Sequence, residues 1–206
     1  MLLKPEFYRR REVLEIAQDL LGMVLLSRVD GKETKGIIVE TEAYKAPEDR
    51  GSHAFGNLRT KRTEVMFQNG GCAYVYLCYG IHQMFNIVTS IEGEAHAILV
   101  RALKPISGER TMIERRAMHQ SSFNISNGPG KLTMALGIDR RHNGTNLWDH
   151  DSLLTISDEG FRVSRKSIIK GPRVGIAYAK EWAKMPWRFR IRNSSWTSKP
   201  DIVDYN

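Results

Sequence analysis

Residues 23–44 read MVLLSRVDGKETKGIIVETEAY, and this stretch is the clearest structural signal in the chain. Met23–Arg28 is an apolar run typical of a strand, and Asp30-Gly31 is a dipeptide typical of a hairpin turn. Thr34–Thr41 is rich in isoleucine and valine and predicts a returning strand. The stretch therefore predicts an antiparallel hairpin whose second strand runs into a polar loop at 45–57.

The pattern on either side of this hairpin adds more strands than helices. Helical spacing of apolar residues predicts helices over 9–21, over 107–119 and from Lys131. Strands at hairpin spacing indicate an α+β fold with a mainly antiparallel curved sheet, surrounding helices and a protruding β-hairpin. We expect the tail after Trp196 to be loosely held. The further strands are predicted over 73–79 and 84–90, joined through Gly80, and over 95–103, 153–156, 161–163, 173–178 and 187–192.

Length and composition restrict the class of protein. At 206 residues, of which 41% are hydrophobic and 26% charged, the chain is long enough for a core, and we expect residues 1–206 to form a single domain. Lysine and arginine exceed aspartate and glutamate by 31 to 23, and the net charge of +8 is compatible with a polyanionic partner. No apolar run reaches the roughly 18–20 residues of a membrane span, and charges occupy the start of the chain where a signal peptide would be apolar. We therefore expect a cytoplasmic protein without a membrane partner.

The cysteines and histidines carry no metal-binding signature. Cys72 and Cys78 form no CxxC pair, and none of the six histidines belongs to an HExxH motif. Six residues of strand span roughly 20 Å, which is beyond the reach of a disulfide unless the chain turns back between them. We expect reduced thiols and no bound metal.

Two carboxylates, Glu40 and Glu42, stand at the end of the second strand of the hairpin. Residues two apart on a strand share a face, so the two side chains are expected to point the same way. Neighbouring carboxylates raise each other's proton affinity, and one at the edge of a core can act as a general base. The alternative is that both are solvent-facing residues of an edge strand.

An aromatic row follows at residues 74–81, Tyr-Val-Tyr-Leu-Cys-Tyr-Gly-Ile. Tyr74 and Tyr76 share one strand face, while Tyr79 and Ile81 flank the turn. An aromatic at an exposed hairpin tip can enter a base stack as a wedge. The alternative is a tyrosine-rich strand that packs its rings on the core.

Two basic segments could contact phosphates. The turn from Asn127 to Lys131 opens a predicted helix, where backbone N–H groups and the lysine amine suit an anion, although a plain loop and helix start fits the same residues. Over 187–192 arginines alternate with apolar residues, which predicts a strand whose wet face carries every arginine of the segment. That face is either an ordinary solvated surface or a phosphate contact.

Taken together and in this order, the motifs resemble those of the alkyladenine (3-methyladenine) DNA glycosylase family. The similarity extends from the first predicted helix to Trp196, which is nearly the whole chain, and the ordered set is far more specific than any single motif. The motifs that carry it are Val39-Glu40-Thr41-Glu42-Ala43-Tyr44, Pro47-Glu48-Asp49, Ser52-His53-Ala54, Met66-Phe67, Tyr74-Val75-Tyr76, Tyr79-Gly80, Asn86, Leu99-Val100-Arg101-Ala102-Leu103, Asn127-Gly128-Pro129-Gly130-Lys131-Leu132, Ala135-Leu136-Gly137-Ile138 and Pro172-Arg173-Val174-Gly175-Ile176.

The resemblance implies a monofunctional enzyme of base-excision repair that removes damaged purines from double-stranded DNA and leaves an abasic site. The implied substrates are 3-methyladenine, 7-methylguanine, hypoxanthine and etheno-adenine, each flipped out of the duplex before its N-glycosidic bond is hydrolysed. Glu42 matches the family's general base, which activates the attacking water, whereas Glu40 matches no catalytic position and is assigned a structural or tuning role. No metal, organic cofactor or lysine Schiff base is implied. We expect a monomer, bound to the nucleoid in a bacterium or located in the nucleus of a eukaryote.

Five further positions match residues of the family that surround the flipped nucleotide. Tyr44, His53 and Tyr76 match the rings that sandwich the purine, whose positive charge after alkylation is attracted by an aromatic face. Asn86 matches the residue that crowds the exocyclic amino group of normal guanine. Arg101 matches the arginine that contacts the phosphate or the base of the flipped nucleotide.

Other positions match residues that contact the duplex. Tyr79 matches the intercalating residue, and Ile81 stands beside it where methionine is frequent. Arg62 and Lys131 match positions that contact the DNA backbone. The chain departs from the family at Thr60-Lys61-Arg62, where Thr-Pro-Arg is common, and this leaves the backbone contacts and the lesion range open.

Two other functions are compatible with parts of the pattern. A glycoside hydrolase acting on sugars could use Glu40 and Glu42 as its carboxylate pair. Residues two apart on one strand lie roughly 6.5–7 Å apart at the backbone, however, and cannot flank a scissile bond from opposite sides. A non-catalytic nucleic-acid-binding module would account for the charge and the aromatic residues but leaves Glu42 without a role.

Overall fold

Eight strands form a branched antiparallel sheet in the computed structural model, which describes residues 1–198. The strands are β1 (Val24–Val29), β2 (Lys32–Lys45), β3 (Ala73–Cys78), β4 (His82–Thr89), β5 (His96–Ser107), β6 (Leu154–Ser157), β7 (Ile168–Gly171) and β8 (Arg188–Ile191). The α-helices are α1 (Pro5–Tyr8), α2 (Val13–Asp19), α3 (Glu109–Arg115) and α4 (Pro129–Leu136). Short 3-10 segments occupy Phe55–Asn57, Glu64–Phe67, Phe123–Ile125, Arg140–His142, Arg165–Ser167 and Ala177–Lys184. The expected α+β class is confirmed.

The second strand of the first hairpin, β2, is the centre of this sheet. Its first half pairs with β1, from Val24↔Ile37 to Val29↔Lys32, as the hairpin prediction requires. Its second half pairs with β8 over Glu40–Glu42, while β5 lies along the other side. The remaining order is β3-β4-β5-β2-β1-β6, with β7 attached to β8. The two carboxylates therefore lie on an interior strand, and the edge-strand alternative is wrong.

Two irregularities in the β2–β5 ladder set the direction of these carboxylates. Val39 is an extra residue in β2, and Arg101 is an extra residue in β5, because neither has a partner in the register. An extra residue shifts the in-and-out alternation of a strand by one position. Ile38 packs in the main hydrophobic core, and beyond the irregularity the core-facing position passes to Ala43. The two carboxylates consequently lie on the face opposite to that core.

Helix α2 covers the core-facing side of β2. Ile16 and Ala17 are buried in the main hydrophobic cluster. The hydroxyl of Thr41 donates to the carbonyl of Ala17 at 2.8 Å. Gly22 ends this region at a φ of +92°, and a Cβ there would lie 2.9 Å from the carbonyl oxygen of Phe161, so the position requires glycine. The helix thus packs on the core-facing side of β2, and the two carboxylates lie on the opposite side.

Two strand predictions in the last third are wrong. The segments 161–163 and 173–178 are not strands, and β7 forms between them. The reason at the second segment is its hydrogen bonds, since the Arg173 side chain pairs with a buried carboxylate and the Val174 amide donates to Glu42. The backbone N–H of Val174 is therefore committed to a side chain of β2 and not to a neighbouring strand.

Several boundaries also differ from the prediction. The helix expected over 9–21 begins only at Val13. The helix expected over 107–119 is shorter because Gly108, at a left-handed φ of 73°, precedes its first residue. Ser198 is buried, so a loosely held tail is the wrong prediction at this residue. The rest of that predicted tail, residues 199–206, lies outside the described part of the chain.

The described residues carry little that is typical of membrane or metal-binding proteins. No helix within residues 1–198 is long and apolar enough to cross a membrane. Cys72 and Cys78 are free thiols, as the sequence predicts. Over this part of the chain, no three His, Cys, Asp or Glu side chains are grouped as ligands of a metal ion.

Candidate active site

In-register residues bring several candidate side chains to one face of the sheet. Glu42 pairs with Leu99 of β5, Leu99 with Asn86 of β4, and Asn86 with Tyr74 of β3. Residues directly opposite each other in an antiparallel pair lie on the same face, so this row crosses four strands over about 15 Å. Tyr44, two positions along β2, continues the face. The sheet therefore sets a carboxylate, an amide and phenol rings around one surface.

Glu42 is fully buried, and both of its carboxylate oxygens have partners. Oε1 accepts a hydrogen bond from the backbone N–H of Val174 at 2.8 Å. Oε2 accepts one from the hydroxyl of Tyr44 at 2.9 Å. Nη1 of Arg101 lies 3.3 Å from Oε1. Because the Val174 amide, the Tyr44 hydroxyl and the Arg101 guanidinium are all donors, the carboxylate acts as an acceptor toward each of them, and these contacts fix its orientation.

A second buried carboxylate, Glu40, lies beside Glu42 with two arginines. The Nε atoms of Arg101 and Arg188 donate to the same oxygen of Glu40, at 2.8 and 2.7 Å. Arg101 is 5% exposed, and its guanidinium lies between the carboxylates of Glu40 and Glu42. The prediction that Arg188 lies on a wet face is wrong. Its strand pairs with β2 opposite Glu42, which turns the guanidinium toward the buried carboxylates, and a buried charge requires such a partner.

The ring of Tyr44 is backed by an ion pair that the sequence did not assign. The guanidinium carbon of Arg173 lies 4.7 Å from the centroid of this ring. Arg173 donates to the two carboxylate oxygens of Asp49 at 2.5 and 2.7 Å, and both side chains are fully buried. Burial, followed by the charge of Glu42, raises the pKa of the Tyr44 hydroxyl well above its usual value, so the hydroxyl stays protonated and donates. Arg173 and Asp49 belong to motifs quoted above, but no local signal pairs residues 124 positions apart.

His53 is joined to two neighbours that determine its tautomer. Arg62 carries only donors, so its Nη2 donates to Nε2 of His53 at 2.9 Å. The proton of His53 is therefore on Nδ1, which donates to the hydroxyl of Tyr74 at 2.9 Å. Burial, followed by the charge of Arg62, lowers the pKa of His53 from 6.5 to about 4. The imidazole is thus neutral near pH 7.

Tyr76 lies in a cluster of planar groups. Its ring centroid is 4.6 Å from that of His53 and 5.2 Å from that of Tyr74. The guanidinium carbon of Arg62 stands 4.7 Å from the same ring centroid. A planar cation therefore already covers an aromatic ring that the resemblance assigns to base binding.

A narrow cavity opens beside these rings. Tyr44, His53 and Asn86, all predicted to contact a base, are part of its wall. The side-chain amide of Asn86 donates to the carbonyl of Tyr74 at 3.1 Å, which holds it in the wall. Sequence reasoning did not assign the other lining residues, Gly51, Ser52, Met66, Tyr74, Ala97, Ile176 and Tyr178.

The predicted duplex contacts are divided among three places. Tyr79 and Ile81 are 88% and 71% exposed at the tip of the β3–β4 hairpin, where Tyr79 adopts a left-handed φ of 49°. Lys131 lines a separate groove together with Arg101. Its amine donates to the side-chain carbonyl of Asn127 at 2.8 Å. The structure therefore separates an exposed apolar tip from a basic groove, and Arg62 stands at neither but at the aromatic cluster.

Known proteins resemble this chain over nearly its whole length. The family model "Methylpurine-DNA glycosylase (MPG)" matches residues 6–195. Three similar curated proteins carry the name "Putative 3-methyladenine DNA glycosylase". The one from Chlamydia felis is 41% identical over 194 residues, covering 92% of this chain and 96% of its own. The one from Bdellovibrio bacteriovorus is 42% identical, and the match covers 97% of this chain and 100% of its own. The one from Bacillus cytotoxicus is 40% identical, and the match covers 95% of this chain and 98% of its own. By sequence over almost its full length, the chain belongs to the methylpurine-DNA glycosylase family.

Proposed function

We propose that this protein excises alkylated or deaminated purines from duplex DNA and leaves an abasic site. Its family is one of DNA glycosylases, enzymes that hydrolyse N-glycosyl bonds. The curated relatives are named for 3-methyladenine, which is one of the proposed substrates beside 7-methylguanine, hypoxanthine and etheno-adenine. The observation that carries the proposal is a buried carboxylate, Glu42, on the same sheet face as an aromatic cavity.

In the proposed reaction Glu42 is the general base. A water beside the carboxylate transfers a proton to Glu42 while its oxygen bonds to C1′ of the sugar, and the purine leaves with the electrons of the N-glycosidic bond. The sugar becomes positively charged as the bond breaks, and the adjacent carboxylate stabilises that charge. The donors from Tyr44 and Val174, at 2.9 and 2.8 Å, keep the carboxylate oriented. The proposal uses no metal and no organic cofactor.

The flipped base is proposed to bind among Tyr44, His53 and Tyr76. Aromatic faces attract the positive charge of an alkylated purine, and a neutral His53 does not repel it. Since Arg62 now stands 4.7 Å from the centroid of the Tyr76 ring, it has to leave that ring when a base stacks there. Asn86, held in the cavity wall, would crowd the exocyclic amino group of normal guanine.

The duplex is proposed to contact the hairpin tip and the basic side chains. Tyr79 and Ile81, exposed at the tip, would fill the gap that the flipped nucleotide leaves in the stack. Arg62 and Lys131 would bind phosphates when DNA is present. Arg101 lies 3.3 Å from Glu42, which supports a position beside the sugar of the flipped nucleotide.

The test is release of free base from methylated and inosine-containing duplexes by the wild type and by Glu42→Gln. We expect the wild type to release the base, and Glu42→Gln to bind the duplex but release base about 10²- to 10⁴-fold more slowly. Glu48→Gln is the matched control, because this carboxylate pairs with Lys45 at the surface and should leave the rate unchanged.

Each other outcome removes a particular part of the proposal. Base release by Glu42→Gln at the wild-type rate refutes the general base. A covalent DNA adduct trapped by borohydride refutes water as the nucleophile. DNA binding by the wild type without any base release would indicate a non-catalytic module. A glycoside hydrolase is disfavoured already, because Glu40 is bound by two arginines and is not available beside Glu42 as the second catalytic carboxylate.

A further inference from the structure

A buried ionic cluster lies directly behind the proposed general base. Glu40 is fully buried, and the two arginines that donate to it, Arg101 and Arg188, are 5% and 2% exposed. Among residues 1–198, the cluster with Glu42 contains two carboxylates and two guanidinium groups, whose formal charges cancel. Buried charges require this balance together with complete hydrogen bonding.

Ser198, far along the chain, supplies further hydrogen bonds to this cluster. Its backbone N–H donates to Oε2 of Glu40 at 2.5 Å, and its hydroxyl donates to Oε1 at 2.8 Å. Nη2 of Arg101 donates to the hydroxyl oxygen of Ser198 at 3.1 Å. Nη2 of Arg188 donates to the carbonyl of Ser198 at 2.9 Å. One serine therefore contacts the carboxylate and both guanidinium groups.

These contacts limit how Arg101 can approach Glu42. Arg101 is an extra residue of β5, without a partner in the β2–β5 register. Its Nε is bound to Glu40 and its Nη2 to Ser198. Only Nη1 remains for Glu42, at 3.3 Å. A guanidinium free of these partners would pair with Glu42 through two parallel hydrogen bonds. It would then also bind Oε2, where the attacking water has to share the oxygen with the Tyr44 hydroxyl.

We propose that Ser198 and Glu40 are positioning residues, which hold Arg101 by two edges so that it approaches only Oε1 of Glu42 and leaves Oε2 to the Tyr44 hydroxyl and the attacking water. This inference rests on the proposed function of Glu42. It assigns a positioning role to the segment that contains Trp196 and Ser198. That segment is docked independently of the cluster, because the Trp196 ring packs edge-on against Phe123 with centroids 5.0 Å apart.

Ser198→Ala and Ser198→Thr test the proposal with little disturbance of the fold. Ser198→Ala removes the hydroxyl but keeps the backbone N–H, and Ser198→Thr restores a hydroxyl. Ser27→Ala is the matched control, because Ser27 is equally buried and donates to the carbonyl of Leu136 at 2.7 Å, away from the cluster. Three quantities are measured: the single-turnover rate of base release, the affinity for a duplex with an abasic-site analogue, and the melting temperature.

We expect Ser198→Ala to lower the single-turnover rate by about 10- to 100-fold, the effect of a small misplacement of a reacting group, with unchanged affinity for the abasic duplex. Ser198→Thr should recover most of the rate. Ser27→Ala should lose a similar amount of thermal stability and keep the wild-type rate. A rate that follows the melting temperature in all three variants would show a purely structural role and overturn the proposal.

A double-variant cycle supplies a second test through Glu40. If Glu40 acts through Arg101, then Glu40→Gln lowers the single-turnover rate of base release when Arg101 is present. The same substitution should have little further effect on the rate of the Arg101→Met variant. If the rate loss of the double variant equals the product of the two single losses, the proposal is overturned. Absence of base release by the wild type overturns the proposed function, and this inference with it. If the wild type releases base and Ser198→Ala does so at the same rate, only the positioning role is overturned.

Discussion

The neutral His53 beside Arg62 makes the stability of this protein dependent on pH in a calculable way. Burial and the Arg62 charge lower the pKa of His53 from 6.5 to about 4. The unfolded chain therefore binds a proton at His53 below about pH 6.5, whereas the folded protein does so only below about pH 4. The folded state loses stability as the pH falls through this window, and the loss levels off below it.

The size of the effect follows from the two pKa values. Between pH 7 and pH 4.5, His53 alone lowers the free energy of unfolding by about 2 kcal/mol. His53→Gln removes the titrating group but keeps a donor and an acceptor for Tyr74 and Arg62. We expect the variant to lose about 2 kcal/mol less than the wild type over this range, measured by urea denaturation at both pH values. An NMR titration of the imidazole gives the folded pKa directly.

The control for this experiment is His150→Gln, at an exposed histidine, which should keep the wild-type pH dependence. Arg62→Met should raise the pKa of His53, but by less than half of the total shift, because burial is the larger cause. A His53 that titrates near 6.5, or a His53→Gln variant with the same pH dependence as the wild type, would contradict the reasoning. So would an Arg62→Met variant in which the imidazole titrates at a lower pH than before.

Four further changes probe the rest of the site. Arg173→Met leaves Asp49 buried without its cation and should lower the free energy of unfolding by about 3–5 kcal/mol; a loss below about 1 kcal/mol in urea denaturation contradicts this. Tyr79→Ser should slow excision of well-paired lesions most, because these resist unstacking, and an equal loss on all lesions argues against a wedge. Asn86→Ser should allow release of normal guanine, measured as free base; unchanged guanine release denies it the role of a gatekeeper. Arg62→Met should reduce the slope of log affinity against log salt by about 0.9, and an unchanged slope would mean that Arg62 binds no phosphate.

Local signals were sufficient for the first hairpin and for the exposed tip of the second. Asp30-Gly31 has few alternatives to a tight turn, and the β1–β2 register follows from it. Tyr79 and Ile81 flank a glycine between two alternating strands, and they are exposed as the pattern indicates. In both cases the information lies within a few residues of the feature it determines.

Non-local contacts account for the errors. The alternation over 187–192 predicts a wet face for Arg188, yet Glu40, 148 positions earlier, binds this arginine in the interior. The segment 173–178 has the composition of a strand, but in the folded protein the Arg173 side chain is bound to Asp49, which lies 124 positions earlier. Prediction from neighbouring residues does not account for a charged partner that folding brings from elsewhere in the chain.

The amino-acid sequence was enough to specify the hairpin, the residue types of the site, and through the ordered motifs the family. It also specified that Glu40 and Glu42 share a face, because that follows from the period of a strand. It did not specify which face, since the extra residues Val39 and Arg101 reverse the alternation only when β2 and β5 are paired. Nor did it indicate that Ser198 would close the cluster, because a contact across 158 positions exists only in the folded chain.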